Sequence, residues 1–204
     1  MKKLITLSVV VAFMSFGLIF MSCDNAETLQ NLYEIADNTE GLESLVVLIT
    51  FVEENAETSP GIVEGFSDTT LTATAFAPNN AAFEALFSIT GILTASDISD
   101  FADSYGATDE EIADYFAEII GLHVIVDQKL LKADIIADAD GVIGPTEYDD
   151  VVIINLEVSV DGETITLTPD VEGSTSADIV TADIEASNGV AHIVDAVMMP
   201  PIPE

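Results

Sequence analysis

The sequence contains no arginine, no tryptophan and a single cysteine among its 204 residues. A lone cysteine excludes an intramolecular disulfide. Without arginine, there is no guanidinium group to hold a phosphate or carboxylate ligand through paired hydrogen bonds. The only basic residues are Lys2, Lys3, Lys129 and Lys132. Nucleic-acid binding needs clustered lysine and arginine, so this composition argues against a nucleic-acid partner.

Acidic residues are abundant, because 37 aspartates and glutamates give the chain a formal net charge of −33 at pH 7. One interpretation is general: a strongly charged surface keeps proteins apart in solution and suits a saline habitat. The other is specific, since carboxylates also bind divalent cations. Composition leaves both interpretations open. It does disfavour close approach to a bare anionic lipid surface.

The N-terminus has the layout of an export signal. Two lysines precede an apolar run from Leu4 to Phe20, which is short for a membrane span of about 20 residues. Residues 1–22 are therefore predicted to be a signal peptide. Ser22 and Cys23 look like a bacterial lipobox, in which diacylglycerol alkylates the thiol and cleavage leaves the cysteine first. The alternative is an ordinary cleaved signal followed by an incidental cysteine.

Lipidation of Cys23 would make the membrane the first partner of the mature chain. Two or more acyl chains give stable anchoring, at about 0.8 kcal/mol per buried methylene. Residues 23–30 would then form a short lipidated tether. The predicted location is the cell envelope, on the outer membrane and exposed at the surface.

Hydrophobic periodicity divides the rest of the chain into early helices and late strands. Predicted helices span 29–36, 42–52, 81–87 and 108–120, and the last opens at Thr108 with capping-box spacing. Predicted strands span 71–76, 122–126, 151–160, 164–168, 177–184 and 190–194, with a hairpin signal at Asp161-Gly162. This order favours an α+β fold over alternating βαβ units. No internal repeat is visible, so residues 31–201 are predicted to form one domain.

Three short segments, in order, carry a family resemblance. The first motif is Thr74-Ala-Phe-Ala-Pro-Asn-Asn-Ala-Ala-Phe83, the second is Leu122-His-Val-Ile125, and the third is Asn188-Gly-Val-Ala-His-Ile-Val-Asp-Ala-Val197 with Pro200 after it. Together they resemble the fasciclin-like domain family. The resemblance implies a β-sandwich or wedge with N-terminal and inserted helices on one side. It also implies a role in adhesion, between cells or to a matrix.

The resemblance also suggests where a partner would bind. Animal members carry an Asp-Ile pair before the third motif that is linked to receptor binding, and Asp183 and Ile184 occupy that place here. His123 is the third candidate for partner contact. The alternative for the pair is a strand end with one buried and one exposed residue. The family's usual tyrosine before the second-motif histidine is replaced by Leu122, so its hydroxyl hydrogen bond is missing.

No catalytic constellation is visible in the sequence. The two histidines, His123 and His192, lie in motifs and are predicted to be buried, neutral and hydrogen-bonded. The single cysteine is assigned to the lipid, and no nucleophile motif or phosphate loop appears. The chain is therefore predicted to be no enzyme, with no cofactor and no catalytic residue.

One acidic stretch partly matches an EF-hand calcium loop. The matching residues are Asp138, Asp140, Gly141, Ile143 and Glu147. The first ligand position is Ile136, which cannot coordinate a cation through its side chain, and Pro145 opposes the helix that should follow. The stretch is predicted to be a solvated loop with no metal site.

These observations predict a lipid-anchored adhesion or interaction module that binds extracellular protein, polysaccharide or neighbouring cells. The alternative is an envelope binding protein for a small apolar ligand or calcium, or a structural envelope component. An enclosed apolar pocket would favour the small ligand, whereas a flat acidic surface would favour adhesion.

Overall fold

A computed structural model describes residues 29–57, 61–139, 141–148 and 152–199. The predicted signal peptide, Cys23 and most of the predicted tether lie outside these ranges, as do Asp140 and Pro200. Within the described part of the chain, no helix has the length and apolarity needed to cross a membrane.

The N-terminal layer consists of three helices, α1 (Leu32–Asn38), α2 (Glu43–Asn55) and α3 (Ile62–Ser67). α1 begins with a complete capping box, in which Asn31 and Glu34 each accept from the other's backbone N–H. α2 is amphipathic and buries Leu45, Leu48 and Ile49.

A strand and three inserted helices follow. The elements are β1 (Ala73–Pro78), α4 (Asn80–Phe87), α5 (Ala95–Tyr105), α6 (Asp109–Leu122) and β2 (Val124–Val126). Thr108 caps α6 in a box with Glu111, as predicted. Asn79 caps α4 by accepting from the Ala82 N–H at 2.9 Å. Leu122 belongs to α6, so β2 is shorter than predicted, because helical hydrogen bonds persist up to His123.

The C-terminal part is mostly strand. Its elements are α7 (Lys132–Ala137), β3 (Val142–Tyr148), β4 (Val152–Asp161), β5 (Thr164–Pro169), β6 (Ala177–Ala186) and β7 (Gly189–Val194). The predicted hairpin joins β4 and β5, where Asp161 pairs with Thr164 and Gly162 takes φ +64° between them. Glycine adopts this left-handed conformation without steric cost.

The strands form one mixed sheet in the order β2-β1-β7-β6-β5-β4-β3. β1 and β7 pair in parallel, and the other neighbours are antiparallel. β2 and β3, at opposite ends of this order, contact each other. Beside them, Gln128 Nε2 donates to the Gly144 carbonyl at 3.3 Å. The sheet therefore curls until its edges approach, which gives the wedge that the family resemblance implies, with most of the helices packed on one side.

The core lies on both faces of this sheet. Alternate side chains of β1 point to opposite faces, so Ala77 packs with the helices while Phe76 packs between the two halves of the sheet. The apolar cluster between the two halves of the sheet, which we call the inner cluster, includes Phe76 and fully buried Leu122. Because the Leu122 side chain is apolar, it can be buried there without a hydrogen-bond partner.

The acidic stretch after α7 differs from the prediction. Asp138 ends α7 and is exposed, but Val142–Tyr148 form β3 and pair with β4. The second half of the supposed solvated loop is therefore a strand, and Ile143 is buried in the inner cluster. No group of three or more potential metal ligands occurs among the residues that the structure describes.

Candidate functional site

The three motifs meet inside the molecule. The buried polar or charged residues of the described ranges are Ser44, Thr74, His123, Asn188 and His192. All but Ser44 belong to the motifs. We call these four residues, together with Gly189, the motif junction. Buried polar groups need partners within the protein, so the hydrogen bonds of the junction show what the motifs do.

Asn188 ties the N-terminal helices to the sheet. Its Oδ1 accepts from the Leu32 N–H at 2.9 Å, and its Nδ2 donates to the carbonyls of Phe66 at 2.8 Å and Asp68 at 3.2 Å. Its own carbonyl accepts from the Ala73 N–H at 3.0 Å. One buried amide therefore fixes α1, α3 and β1 at the start of β7.

Gly189 is required because the backbone of the neighbouring strand β1 approaches it closely at Ala73. A Cβ at this position would lie 1.9 Å from the Ala73 carbonyl oxygen, and its φ of +153° is unfavourable for other residues. The Asn-Gly pair is thus a close packing contact in addition to a turn.

His123 is buried at the end of α6. Its Nε2 accepts from the Met198 N–H at 3.0 Å, so the proton resides on Nδ1, which donates to the Ile119 carbonyl at 2.7 Å. Burial lowers the pKa of His123 to about 4, although the bond to Ile119 acts in the opposite direction. The imidazole is therefore neutral and structural at neutral pH, as predicted.

The prediction that His123 contacts a partner is not supported by this geometry. Only 5% of the residue is exposed, and both ring nitrogens are used within the chain. A partner at the surface would have to displace the segment around Met198 to reach the ring.

His192 links β7 to the predicted Asp-Ile site. The Asp183 N–H donates to His192 Nδ1 at 3.3 Å, and the other ring nitrogen donates to the Leu130 carbonyl at 2.8 Å. The ring stacks on Phe76 with centroids 5.6 Å apart. Burial lowers the pKa of His192, while the Leu130 bond and the charge of Asp183 oppose that shift. The expectation of a buried, neutral, bonded histidine is confirmed here too.

Asp183 and Ile184 lie within β6 at a bulge, where the pairing with β7 shifts between Thr181 and Ile184. They are not at a strand end. Asp183 is exposed and adopts φ +62°, which aspartate tolerates better than most residues. Its Oδ1 accepts from the Lys132 N–H at 2.6 Å and so gives a partner to one of the free backbone N–H groups in the first turn of α7. Ile184 is half-buried against a small apolar cluster.

The surface around this bulge holds both lysines of the described chain. Lys129 Nζ lies 2.9 Å from Glu185 Oε2, in an exposed ion pair. The link between α7 and the bulge has no local signal, because Lys132 and Asp183 are 51 residues apart in the chain. Neither residue lies in a sequence motif that predicts this contact.

An apolar cavity of about 50 Å³ lies between the N-terminal helices and the sheet. Its walls include Leu48, Phe83, Ala191 and one side of His123. Pockets for small organic ligands are roughly 300–1,000 Å³. This cavity is thus too small for the apolar ligand of the alternative hypothesis.

The fold and the junction define a class: an α+β domain whose motif residues hold the structure together. Comparison with known proteins then identifies the family. A sequence model of the fasciclin domain matches residues 48–200, and the chain belongs to the fasciclin domain family. Proteins of this family are in general adhesion or interaction modules and non-enzymatic.

A solved structure shows the same fold. It is a pair of such domains from the insect cell adhesion molecule fasciclin I, with a TM-score of 0.62 and 12% sequence identity. The match covers 84% of this chain and 51% of that one, so this chain spans about half the length of the solved pair. Among curated proteins, no match was found.

Proposed function

We propose that this protein is a lipid-anchored adhesion or interaction module of the cell envelope. Membership of the fasciclin domain family carries the proposal, because the family's general role is adhesion or interaction. The sequence around Cys23 supports the anchor, and proteins of this family are often extracellular or at the surface. The chain would act by presenting its surface to extracellular protein, polysaccharide or sibling cells.

The distribution of buried and exposed polar groups supports binding at the surface. The buried histidines are neutral and fully used in the fold, so neither is poised as a base or ligand. Exposed Asp183, with Ile184 beside it, remains the family-based proposal for one partner contact. Asp183 adopts a positive φ at the bulge and its Oδ1 accepts from the Lys132 N–H, so a partner would meet a carboxylate whose position is already fixed within the chain.

Deletion of the domain tests the function. Cells would produce a chain cut after residue 30, which retains the signal and Cys23, and attachment to surfaces, polysaccharide and sibling cells would be compared with the full chain. We expect attachment to fall. Unchanged attachment in all three assays would contradict the adhesion role.

Two controls separate the anchor from the binding domain. Labelling with a radioactive fatty acid should mark the full chain and be lost in Cys23→Ser. Protease treatment of intact cells should degrade the domain if it faces outward. A domain protected until the outer membrane is permeabilised would contradict surface exposure but leave the lipid anchor in place.

A further inference from the structure

An open groove of about 480 Å³ lies between the end of α4 and the outer side of α5. We call it the α4–α5 groove. It is lined mainly by Phe87, Phe101, Tyr105, Asp97, Asp100 and Ser104. No motif residue lines it, and it is far larger than the apolar cavity under α1.

The aromatic wall of the groove is held in place from below. The Phe101 centroid lies 5.0 Å from both Phe87 and Tyr105. Phe87 and Phe101 also lie 5.6 Å and 6.0 Å from fully buried Phe116. Tyr105 at the rim is 58% exposed. The groove therefore offers a preformed aromatic surface, and a partner need not order it.

The polar rim carries charge of one sign. Asp97 accepts from the Thr94 N–H and hydroxyl through Oδ2. Asp100 is exposed and makes no hydrogen bond or ion pair within the described ranges. The described lysines are at the β6 bulge, where Lys129 already pairs with Glu185. No basic side chain lines the groove to offset its carboxylates.

Aromatic faces and carboxylates share one kind of ligand, an organic cation. The negative face of an aromatic ring attracts ammonium and guanidinium groups within about 6 Å, and a lysine or arginine stem also covers apolar surface. An anion would be repelled, and an apolar group would remove water from Asp100 without replacing the hydrogen bonds that water supplies. We propose that the α4–α5 groove binds a lysine or arginine side chain presented by a partner protein. This refines the proposed function by naming the partner's chemistry.

Binding of a defined basic peptide tests the proposal. The probe is a capped peptide that carries one lysine and one arginine between glycines, titrated into the full-length chain in non-ionic detergent at moderate salt, where distant charges are screened. A matched peptide replaces lysine with norleucine and arginine with citrulline. We expect only the basic peptide to bind. Equal binding of the neutral peptide would overturn the proposal.

Matched variants then locate the binding site. Tyr105→Ala should weaken peptide binding about tenfold, as expected for loss of a cation–π contact, whereas Tyr105→Phe should preserve it. Asp100→Asn should weaken binding severalfold. Asp161→Asn removes the same charge from an exposed site on the β4–β5 hairpin and should change affinity less than about twofold at moderate salt.

Equal losses of affinity in Asp100→Asn and Asp161→Asn would overturn the proposal, because the general field of the protein would then explain binding. Unchanged peptide binding in Tyr105→Ala would also overturn it. So would binding of a neutral oligosaccharide at the groove together with no binding of the basic peptide. Cell attachment is measured separately. Adhesion that persists when peptide binding fails would reject the groove and leave the proposed function standing.

Discussion

The motif junction and the α4–α5 groove are opposite in construction. The junction is buried and uncharged, and its polar side chains bond within the chain. The groove is open, aromatic and acidic, and Asp100 on its rim has no partner in the described chain. The residues that identify the family therefore build the fold, and in our proposal residues outside any motif supply the surface that a partner contacts. Substitutions should separate these two roles.

The largest expected effect is at Gly189. Gly189→Ala should prevent stable folding, because its Cβ would lie 1.9 Å from the Ala73 carbonyl oxygen and β1 would have to move away from β7. The matched control is Gly162→Ala. Gly162 also has a positive φ of +64° but no neighbour within 4 Å of an added Cβ. It should cost only about 1–2 kcal/mol. Chemical denaturation measures both, and similar stabilities for the two variants would contradict the account.

The second effect is at Asn188. Asn188→Ala leaves the Leu32 N–H and the Phe66 carbonyl without their side-chain partner, and each buried unsatisfied group costs about 1–3 kcal/mol. We expect a loss of about 2–4 kcal/mol and faster hydrogen exchange in α1. Asn79→Ala removes an ordinary helix cap and should cost about 1 kcal/mol. Equal costs for the two variants would show that Asn188 is no more than a turn residue.

The third effect is pH dependence from His123. Its pKa is lowered from the ordinary 6.5 to about 4, so the native state favours the neutral ring. The resulting stabilisation is fully present above about pH 6.5 and is lost as the pH falls towards about 4. By pH 5 the free energy of unfolding should have fallen by about 2 kcal/mol from this cause. Loss of carboxylate repulsion acts the other way over the same range.

Two measurements isolate the histidine from the carboxylates. NMR titration should show the His123 ring neutral down to about pH 4, with His192→Gln used to assign the remaining histidine signal. The free energy of unfolding of His123→Gln should then fall less than that of the wild type between pH 7 and pH 5. A His123 ring that titrates near pH 6.5 would contradict its burial in the junction.

The smallest effect is expected at Asp183, where the surface meets the junction. Asp183→Asn retains an acceptor for the Lys132 N–H and tolerates φ +62°, so the free energy of unfolding should change by less than about 0.5 kcal/mol. Asp183→Val should cost about 1–3 kcal/mol, because a branched side chain resists this conformation. Thermal denaturation compares the two, and a large cost for Asn would mean that the charge itself holds the bulge.

Local signals in the sequence predicted the elements that have them. The capping-box spacing of Thr108 and Glu111 predicted the start of α6, and the Asp161-Gly162 pair predicted the β4–β5 hairpin. α5 was missed, although Thr94 and Asp97 have capping-box spacing and Ile98 and Ala102 fall on one buried face. The low mean hydropathy of that segment hid the pattern. Because α5 was not predicted, the α4–α5 groove could not be predicted either.

Long-range features were beyond prediction. β3 escaped detection because Pro145 and the surrounding acids resemble a loop, and pairing with β4 outweighs that local preference. The bulge at Asp183 depends on the His192 ring on the neighbouring strand and on α7, whose Lys132 is 51 residues away in the chain. The motifs predicted buried histidines, but only the fold shows which atoms they bond.

The most direct test of this division of roles is an NMR map of the full-length chain in detergent as the basic peptide is added. We expect amide shifts concentrated in residues 86–105, with residues 74–76 and 188–192 unchanged. Shifts centred on residues 74–76 and 188–192, with residues 86–105 unaffected, would contradict the claim that the motifs build the fold while the α4–α5 groove binds.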